Sequence, residues 1–523
     1  MSNFLGCRHR TALDQGVALG KRQKPVWADP LLEALLARGL EHERNYIAEL
    51  SSSGHKTIEL RDLGNPETAI AATLEAMRHG ADVIAQGALG DTHWFGRPDV
   101  LLRVATPSAL GAWSYEVVDT KLALETRAGT ILQLGLYCDL LTAAQGRAPE
   151  YFHVVTPDPE SPHHTYRVGD YTANYRRVRR TLESFVEQDD DAQAAANYPE
   201  PVEHCEVCAW SQGCRDKRRR DDHLSLVAGI TRVQRTELHT HQIDTTMDLA
   251  VTPVPLPFRP RRGSNESFVR VRQQARLQVE SRGLVEPRFE PLTIEPDKGL
   301  CRLPPPSAGD LFLDLEGDPF AGEGGREYLF GIVSLDDRGR GTYHSRWALN
   351  ETEEIVAFDE VMTIIMTSRA QHPGMHVYHY APYEPTAFKR LMGRFAQREK
   401  DVDLLLRSGT FVDLYAVVRQ GIRVGTERYS IKSLEPLYRF VRDVPLVDAS
   451  RSLRTMEQAL ELGRPELVTA ALRDVIQGYN EEDCRSALRL RDWLEDLRRR
   501  LEADGQTIPR PDTKEADAPE SVT

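Results

Sequence analysis

The sequence predicts a mixed α/β protein of more than one domain, and three observations carry that expectation. Two short β-rich runs, Val100–Val104 and Tyr115–Val118, are followed by a helical pattern over Thr130–Leu141. A second pair of strand-like runs, Leu311–Asp318 and Glu327–Leu335, is followed far downstream by a helix over Cys484–Arg500. The 523 residues, 40% of them hydrophobic, suffice for two or three domains with cores of their own. Runs dense in Val, Ile and Tyr suit a pleated surface, whereas apolar residues three and four apart suit a helix.

Taken in order, Leu31–Leu36 begins a helix that continues through Gly39-Leu-Glu-His42-Glu43. Asp99, after Gly96-Arg97-Pro98, enters where a strand begins, and the runs at 100–104 and 115–118 pair as a hairpin. Asp119 and Lys121 stand two apart, so both side chains project from one face of a strand. Two carboxylates sharing a divalent cation lower the pKa of a bound water, and a nearby ammonium steadies charge building on a phosphate. Gln133 and Tyr137, one helical turn apart, share a face of the next helix.

Cys205-x2-Cys208-x5-Cys214 is a compact thiol group, with Cys7 near the N-terminus. Four thiolates suit an iron–sulfur cluster or zinc, with His9, His204 or His223 available to a zinc knuckle. Joining Cys7 to the later three would close a long loop and staple the ends of the domain. Seven cysteines and no signal peptide argue against disulfides and for a reducing, cytoplasmic setting. Cys138, Cys301 and Cys484 read as ordinary thiols.

Residues 186–199 read as a flexible connector. Residues 221–300 form a small helical linker that resembles a helix–hairpin–helix faintly, His241 and Gln242 standing where a second turn glycine would be. Pro253–Pro260 and Pro304–Pro306 punctuate its edges. From residue 311 an apolar strand carries Asp314-x-Glu316 on one face, forcing two like charges together unless a cation neutralises them. Tyr479 and Asp483 lie one turn apart on a late helix. After 505 the composition turns to Pro, Asp, Glu and Ala, predicting a disordered tail over 506–523.

Residues 1–220 resemble the RecB/AddB-type branch of the PD-(D/E)XK nucleases, which have a restriction-endonuclease-like fold. The resemblance rests on Cys7, Gly39-x2-His42, Asp99, Asp119-x-Lys121, Gln133-x3-Tyr137 and the three late cysteines. It implies that His42, Asp99 and Asp119 bind Mg²⁺ or Mn²⁺, that Lys121 is catalytic, and that Gln133 and Tyr137 support the site or the nucleic-acid strand. It also implies a [4Fe–4S] cluster on Cys7, Cys205, Cys208 and Cys214.

Residues 301–505 resemble the DEDD exonucleases of the RNase H-like fold, and more closely the RNase H-like domain that follows a RecB-type nuclease in some bacterial fusions. Asp314, Glu316 and Asp483 are thereby implied as metal ligands, and Tyr479 as the group orienting the attacking water. In His376-Val-Tyr-His-Tyr-Ala-Pro-Tyr-Glu384 the family's second acid falls on Glu384, one methylene longer than the expected Asp. Asp413 is a further candidate ligand.

The net charge of −13 argues against a general nucleic-acid coating protein but not against a nuclease. Basic clusters at Arg176–Arg180, Lys217–Arg220 and Arg259–Arg276 suit either phosphate tracking or a solvated face. No apolar run is long enough to span a membrane, and no G-x4-G-K-[ST] loop provides a motor. In the fusions it resembles a superfamily 1 helicase follows, so such a helicase is a candidate separate partner. The expected activity is metal-dependent hydrolysis of nucleic acid, DNA or RNA, in repair, recombination or defence. The rival reading is a binding adaptor whose folds have lost their chemistry.

Overall fold

The computed structural model describes residues 1–25, 30–61, 63–158, 160–322, 324–336 and 338–512. They fall into two compact units, Met1–Arg215 and Asp216–Thr523. The helical segment expected as a separate linker belongs to the second unit. There Gln274 Nε2 donates to the Val424 carbonyl at 2.8 Å, and the Tyr429 hydroxyl donates to Gln274 Oε1 at 2.9 Å. Its turn carries Gln242 at φ +60°, a non-glycine in left-handed backbone.

The first unit opens with a short helix, Ser2–Gly6, followed by α1 (Arg8–Ala18), which is capped by the Cys7 sulfur accepting the Arg10 amide. Helix α2 (Pro30–Ser52) follows and carries His42 and Glu43. A six-stranded sheet comes next, its strands adjacent in chain order: β1 (Thr57–Glu59), β2 (Val83–Ala85), β3 (Val100–Val104), β4 (Ser114–Thr120), β5 (Tyr151–Val155) and β6 (His163–Arg167). The predicted hairpin is β3 and β4, antiparallel with Val100 opposite Val118. Strand β4 is buried throughout, because β5 pairs with it in parallel and both faces of the sheet are covered. Helix α3 (Ala128–Gln145) crosses between β4 and β5 and buries Leu132, Leu136 and Leu140.

The segment 186–199, expected as a flexible connector, instead holds helix α4 (Asp190–Ala196). Asp189 accepts the Ala192 amide as its N-cap, and the run Ala-Gln-Ala-Ala-Ala favours helix over coil. Asp190 is fully buried against α1, where Lys21 pairs with it at 2.5 Å.

In the second unit a five-stranded sheet runs β9 (Gly341–Trp347), β8 (Arg326–Leu335), β7 (Leu311–Asp318), β10 (Val377–His379) and β11 (Phe411–Asp413). β7, β8 and β9 form an antiparallel meander, and β10 and β11 join β7 in parallel. The expected pairing of Leu311–Asp318 with Glu327–Leu335 is β7 with β8. One face packs on helices around Phe358, Met362 and Phe388. The other packs on α5 (Ala470–Ala503) through Cys484, Ala487, Leu490 and Leu494. That helix starts well before the expected Cys484, capped by Thr469, so Tyr479 and Asp483 sit inside it rather than at its start.

A buried ion pair fixes α5 on the sheet. Arg491 Nη1 lies 2.6 Å from Asp310 Oδ2, and its guanidinium covers the rings of Phe312 and Tyr378 at 5.0 and 5.2 Å. Asp310 also accepts the amides of Ser307 and His376, tying the starts of β7 and β10 together. Removing one partner would leave a buried charge uncompensated, at about 3–5 kcal/mol. Residues 506–512, expected to begin the disordered tail, lie against this unit: Ile508 is buried, and Arg510 bonds Glu495 Oε2 at 2.7 Å. Residues 513–523 of that expected tail lie outside the described residues.

Candidate functional site

The second unit gathers three carboxylates. Asp314 and Glu316 share one face of β7, as period-two geometry requires, and Asp483 descends from α5. One oxygen from each of Asp314, Glu316 and Asp483 lies within 4.8 Å of the others, a spacing that can hold a metal ion. A β-bulge between Glu316 and Gly317 shifts the register just after these acids.

The helix comes this close because Gly331, opposite Asp314 on β8, has no side chain. A Cβ there would stand 1.7 Å from Asn480 Oδ1. Asn480 fills the space, donating to Asp314 Oδ2 at 2.8 Å and to the Asp314 carbonyl at 3.2 Å, while its oxygen accepts from Tyr343 at 2.8 Å. Asp314 is thereby held in one orientation.

Two basic side chains close the other side of the cluster. Lys432 Nζ is 2.7 Å from Asp483 Oδ2 and 4.9 Å from the centre of the Tyr479 ring. Arg442 bonds Asp483 Oδ1 and grips Glu435 through Nε, at 2.9 and 3.1 Å. Burial, and then the charge of Asp483, push Glu316 up to about 8 and Asp314 well above the carboxylate range. Burial also opposes the Lys432 charge, but Asp483 and Tyr479 outweigh it and raise that ammonium further. Tyr479 is pushed up to about 12 by burial and then by Asp483.

The remaining expected ligands stand apart from this triad. Glu384 is buried beside it, 3.3 Å from His379 Nδ1, and its own pKa is raised by burial. Its charge adds to the rise at Asp314. Asp413 is occupied differently: Oδ1 accepts the amides of Ala381 and Tyr415, both at 2.9 Å, as the N-cap of the helix Leu414–Gly421. Asp413 thereby caps that helix through one of its two oxygens.

The first unit assembles its own acids at the junction of β3 and β4. Asp99 Oδ2 accepts both the amide and the hydroxyl of Thr120 at 2.7 Å. Asp119, fully buried, faces the Lys121 ammonium, and its Oδ1 has no hydrogen-bond partner among the described residues. Burial, and then Asp99, push Asp119 up to about 7. Gln133 Nε2 donates to the Tyr137 hydroxyl at 2.8 Å. The Tyr137 ring lies over Gly96, where a Cβ would come within 2.3 Å of it, and the charges of Asp119 and Asp99 both reach its hydroxyl.

His42 Nε2 is 3.2 Å from the carbonyl of Val155, the residue paired with Thr120, so it stands at the rim beside the acids. Sequence reasoning missed Glu43 and Gln86. Gln86 Nε2 bonds Glu43 Oε1 at 2.7 Å and Asp99 Oδ1 at 3.5 Å, joining α2 to the acid at the head of β3. It also missed Lys432, Arg442 and Asn480; Asn480 alone left a signal, standing one turn before Asp483.

Cys205 and Cys208 lie near enough to raise the Cys7 thiol, although burial is the larger cause. The sulfurs of Cys7 and Cys205 each accept a backbone amide at 3.4 Å, from Arg10 and Val202. His9 Nδ1 is engaged by the carbonyls of Ala194 and Asn197, and His204 by Arg10.

The raised acids fix a pH dependence. Asp119 and Glu316 hold protons in the folded chain up to about pH 7 and 8, whereas an unfolded carboxylate releases them near ~4. Between those limits the folded state binds more protons, so its stability falls as pH rises. Without divalent ions the melting temperature should drop from pH 6 to pH 8. Mn²⁺ should raise it more at pH 8 than at pH 6, since a cation competes with those protons; equal gains at both would contradict this.

Residues 311–495 match the RNase_H_2 model of the RNase H superfamily. No curated protein and no solved structure matches the chain. No helix among the described residues is long and apolar enough to cross a membrane. The match spans the five-stranded sheet, with Asp314 and Glu316 on its central strand β7, and reaches Asp483 on α5, which supports an RNase H-like domain over residues 311–495.

Proposed function

We propose that this chain is a metal-dependent nuclease that hydrolyses phosphodiester bonds in nucleic acid, DNA foremost, through two hydrolytic sites. The observation that carries the reading is the convergence of Asp314, Glu316 and Asp483 within 4.8 Å on an RNase H-like domain. Lys432 and Arg442 neutralise Asp483, and a cation or a proton would relieve the like charges that remain on Asp314 and Glu316. They fit Mg²⁺ or Mn²⁺, hard ions that prefer oxygen ligands.

In the second site Asp314, Glu316 and Asp483 would hold the ion, with Glu384 behind them. In the first, Asp99, Asp119 and His42 would do so, and the unpartnered Asp119 Oδ1 fits that role. A divalent cation so held supplies Lewis acidity towards water and the phosphate oxygens. Tyr479, one turn from Asp483, would orient the attacking water, and Asn480 holds the Asp314 carboxylate in place. In the first site Lys121 steadies charge developing on the phosphate. Gln133 and Tyr137 form a hydrogen-bonded pair whose hydroxyl faces both acids.

The first unit is read as a RecB-like PD-(D/E)XK domain, supported by the order of its motifs and by their convergence at the β3–β4 junction. Cys7, Cys205, Cys208 and Cys214 would hold a [4Fe–4S] cluster, whose contribution is to tie the two ends of the domain together. Amide donors at Cys7 and Cys205 suit thiolates held in such a cluster. The second site is read as a DEDD-type exonuclease. A separate helicase and a cytoplasmic role in repair, recombination or defence complete the proposal.

The test is Mn²⁺-dependent cleavage of labelled linear and circular DNA and of RNA. Asp314→Ala should cut trimming of linear ends by a factor on the order of 10² or more, as should Asp119→Ala for the first site. A wild-type protein that binds but cuts none of these substrates would overturn the nuclease reading in favour of an adaptor. Protein purified without air should be brown, absorbing near ~400 nm; a colourless protein with one zinc would refute the cluster.

A further inference from the structure

Both oxygens of Asp483 are taken by basic side chains, and the two are held very differently. The Arg442 side chain is only 7% exposed and is anchored on Glu435 as well as on Asp483, so it is a fixed part of the wall. Lys432 reaches in from the one-turn helix Ile431–Leu434, remains about a quarter exposed, and has Asp483 Oδ2 as its carboxylate contact at 2.7 Å. Its flexible four-carbon stem allows the ammonium to turn without moving the backbone. The Tyr479 ring lies alongside at 4.9 Å.

A divalent ion taken by Asp314, Glu316 and Asp483 shares Asp483 with that ammonium, and the two cations repel. A phosphodiester brings a fresh anion to the mouth of the same cluster. We infer that Lys432 links the two binding events. Its ammonium competes with the metal for Asp483 and is drawn off by the phosphate of the nucleic acid, so metal and substrate each tighten the other. Lys432 is then a positioning residue whose effect is a coupling between sites, necessarily equal in both directions. The inference rests on the reading of the triad as a cation site that takes nucleic acid.

Calorimetric titration of Mn²⁺ into the full chain carrying Asp119→Asn, which silences the first site, tests it. Each protein is titrated alone and with a phosphorothioate oligodeoxynucleotide that resists cleavage. Lys432→Met should bind Mn²⁺ on the order of tenfold tighter than its parent when alone, and the oligonucleotide should tighten the variant's binding far less than the parent's. Lys432→Arg, which keeps the charge, should behave as the parent. Lys432→Gln gives the same comparison if the methionine variant fails to fold. Equal or weaker Mn²⁺ binding by the neutral variants, or an unchanged oligonucleotide effect, would overturn the inference. Loss of the Mn²⁺ signal from the parent itself, matching Asp314→Asn, would instead sink the reading of the triad as a metal site.

Discussion

The second unit is organised around a repulsion. Asp314, Glu316 and Asp483 are brought within 4.8 Å of one another in a largely buried place, where like charges are costly. The surrounding structure is what makes this tolerable. Gly331 lets α5 approach β8, Asn480 holds Asp314 by two hydrogen bonds, and Lys432 and Arg442 neutralise Asp483. Asp310 and Arg491, two turns further along the helix, fix the register between α5 and β7 on which the spacing depends. Each interaction is ordinary alone; together they hold three acids where they repel.

The first unit meets the same problem with different means. Asp99 is satisfied by two donors from Thr120, whereas Asp119 is buried with one unpartnered oxygen and a single ammonium beside it. The contrast divides the pair: one acid is oriented, and the other is left available. The support reaches outward through Gln86 and Glu43 to α2. A sheet with both faces covered keeps water from relieving the charge, which is why burial is the largest cause of the rise at Asp119.

Local periodicity made the acids legible. Asp314 and Glu316 follow from strand alternation, Tyr479 and Asp483 from helical spacing, and Asp119 with Lys121 from alternation again. The counter-charges were not legible, because Lys432 and Arg442 lie 51 and 41 residues from the carboxylate they meet, and only tertiary packing joins them. The cap that Asp413 makes was not legible either, since an Asp at the end of a strand looks the same in sequence whether or not a helix follows it directly. Segment 186–199 is helical in part rather than a flexible connector, because one of its acids caps a helix and another is buried, which the composition does not reveal. Helix α5 begins at Ala470, earlier than the apolar pattern after Cys484 indicates, because Thr469 caps it and the turns before Cys484 include Gly478 and polar residues.

The account stands or falls on whether the three converging carboxylates hold a divalent cation. Anomalous diffraction from crystals grown with Mn²⁺ measures this directly. The account predicts an anomalous peak within coordination distance of Asp314, Glu316 and Asp483, lost in Asp314→Asn. Ordered carboxylates with no peak among them, at a Mn²⁺ concentration that fills other sites in the same crystal, would contradict it.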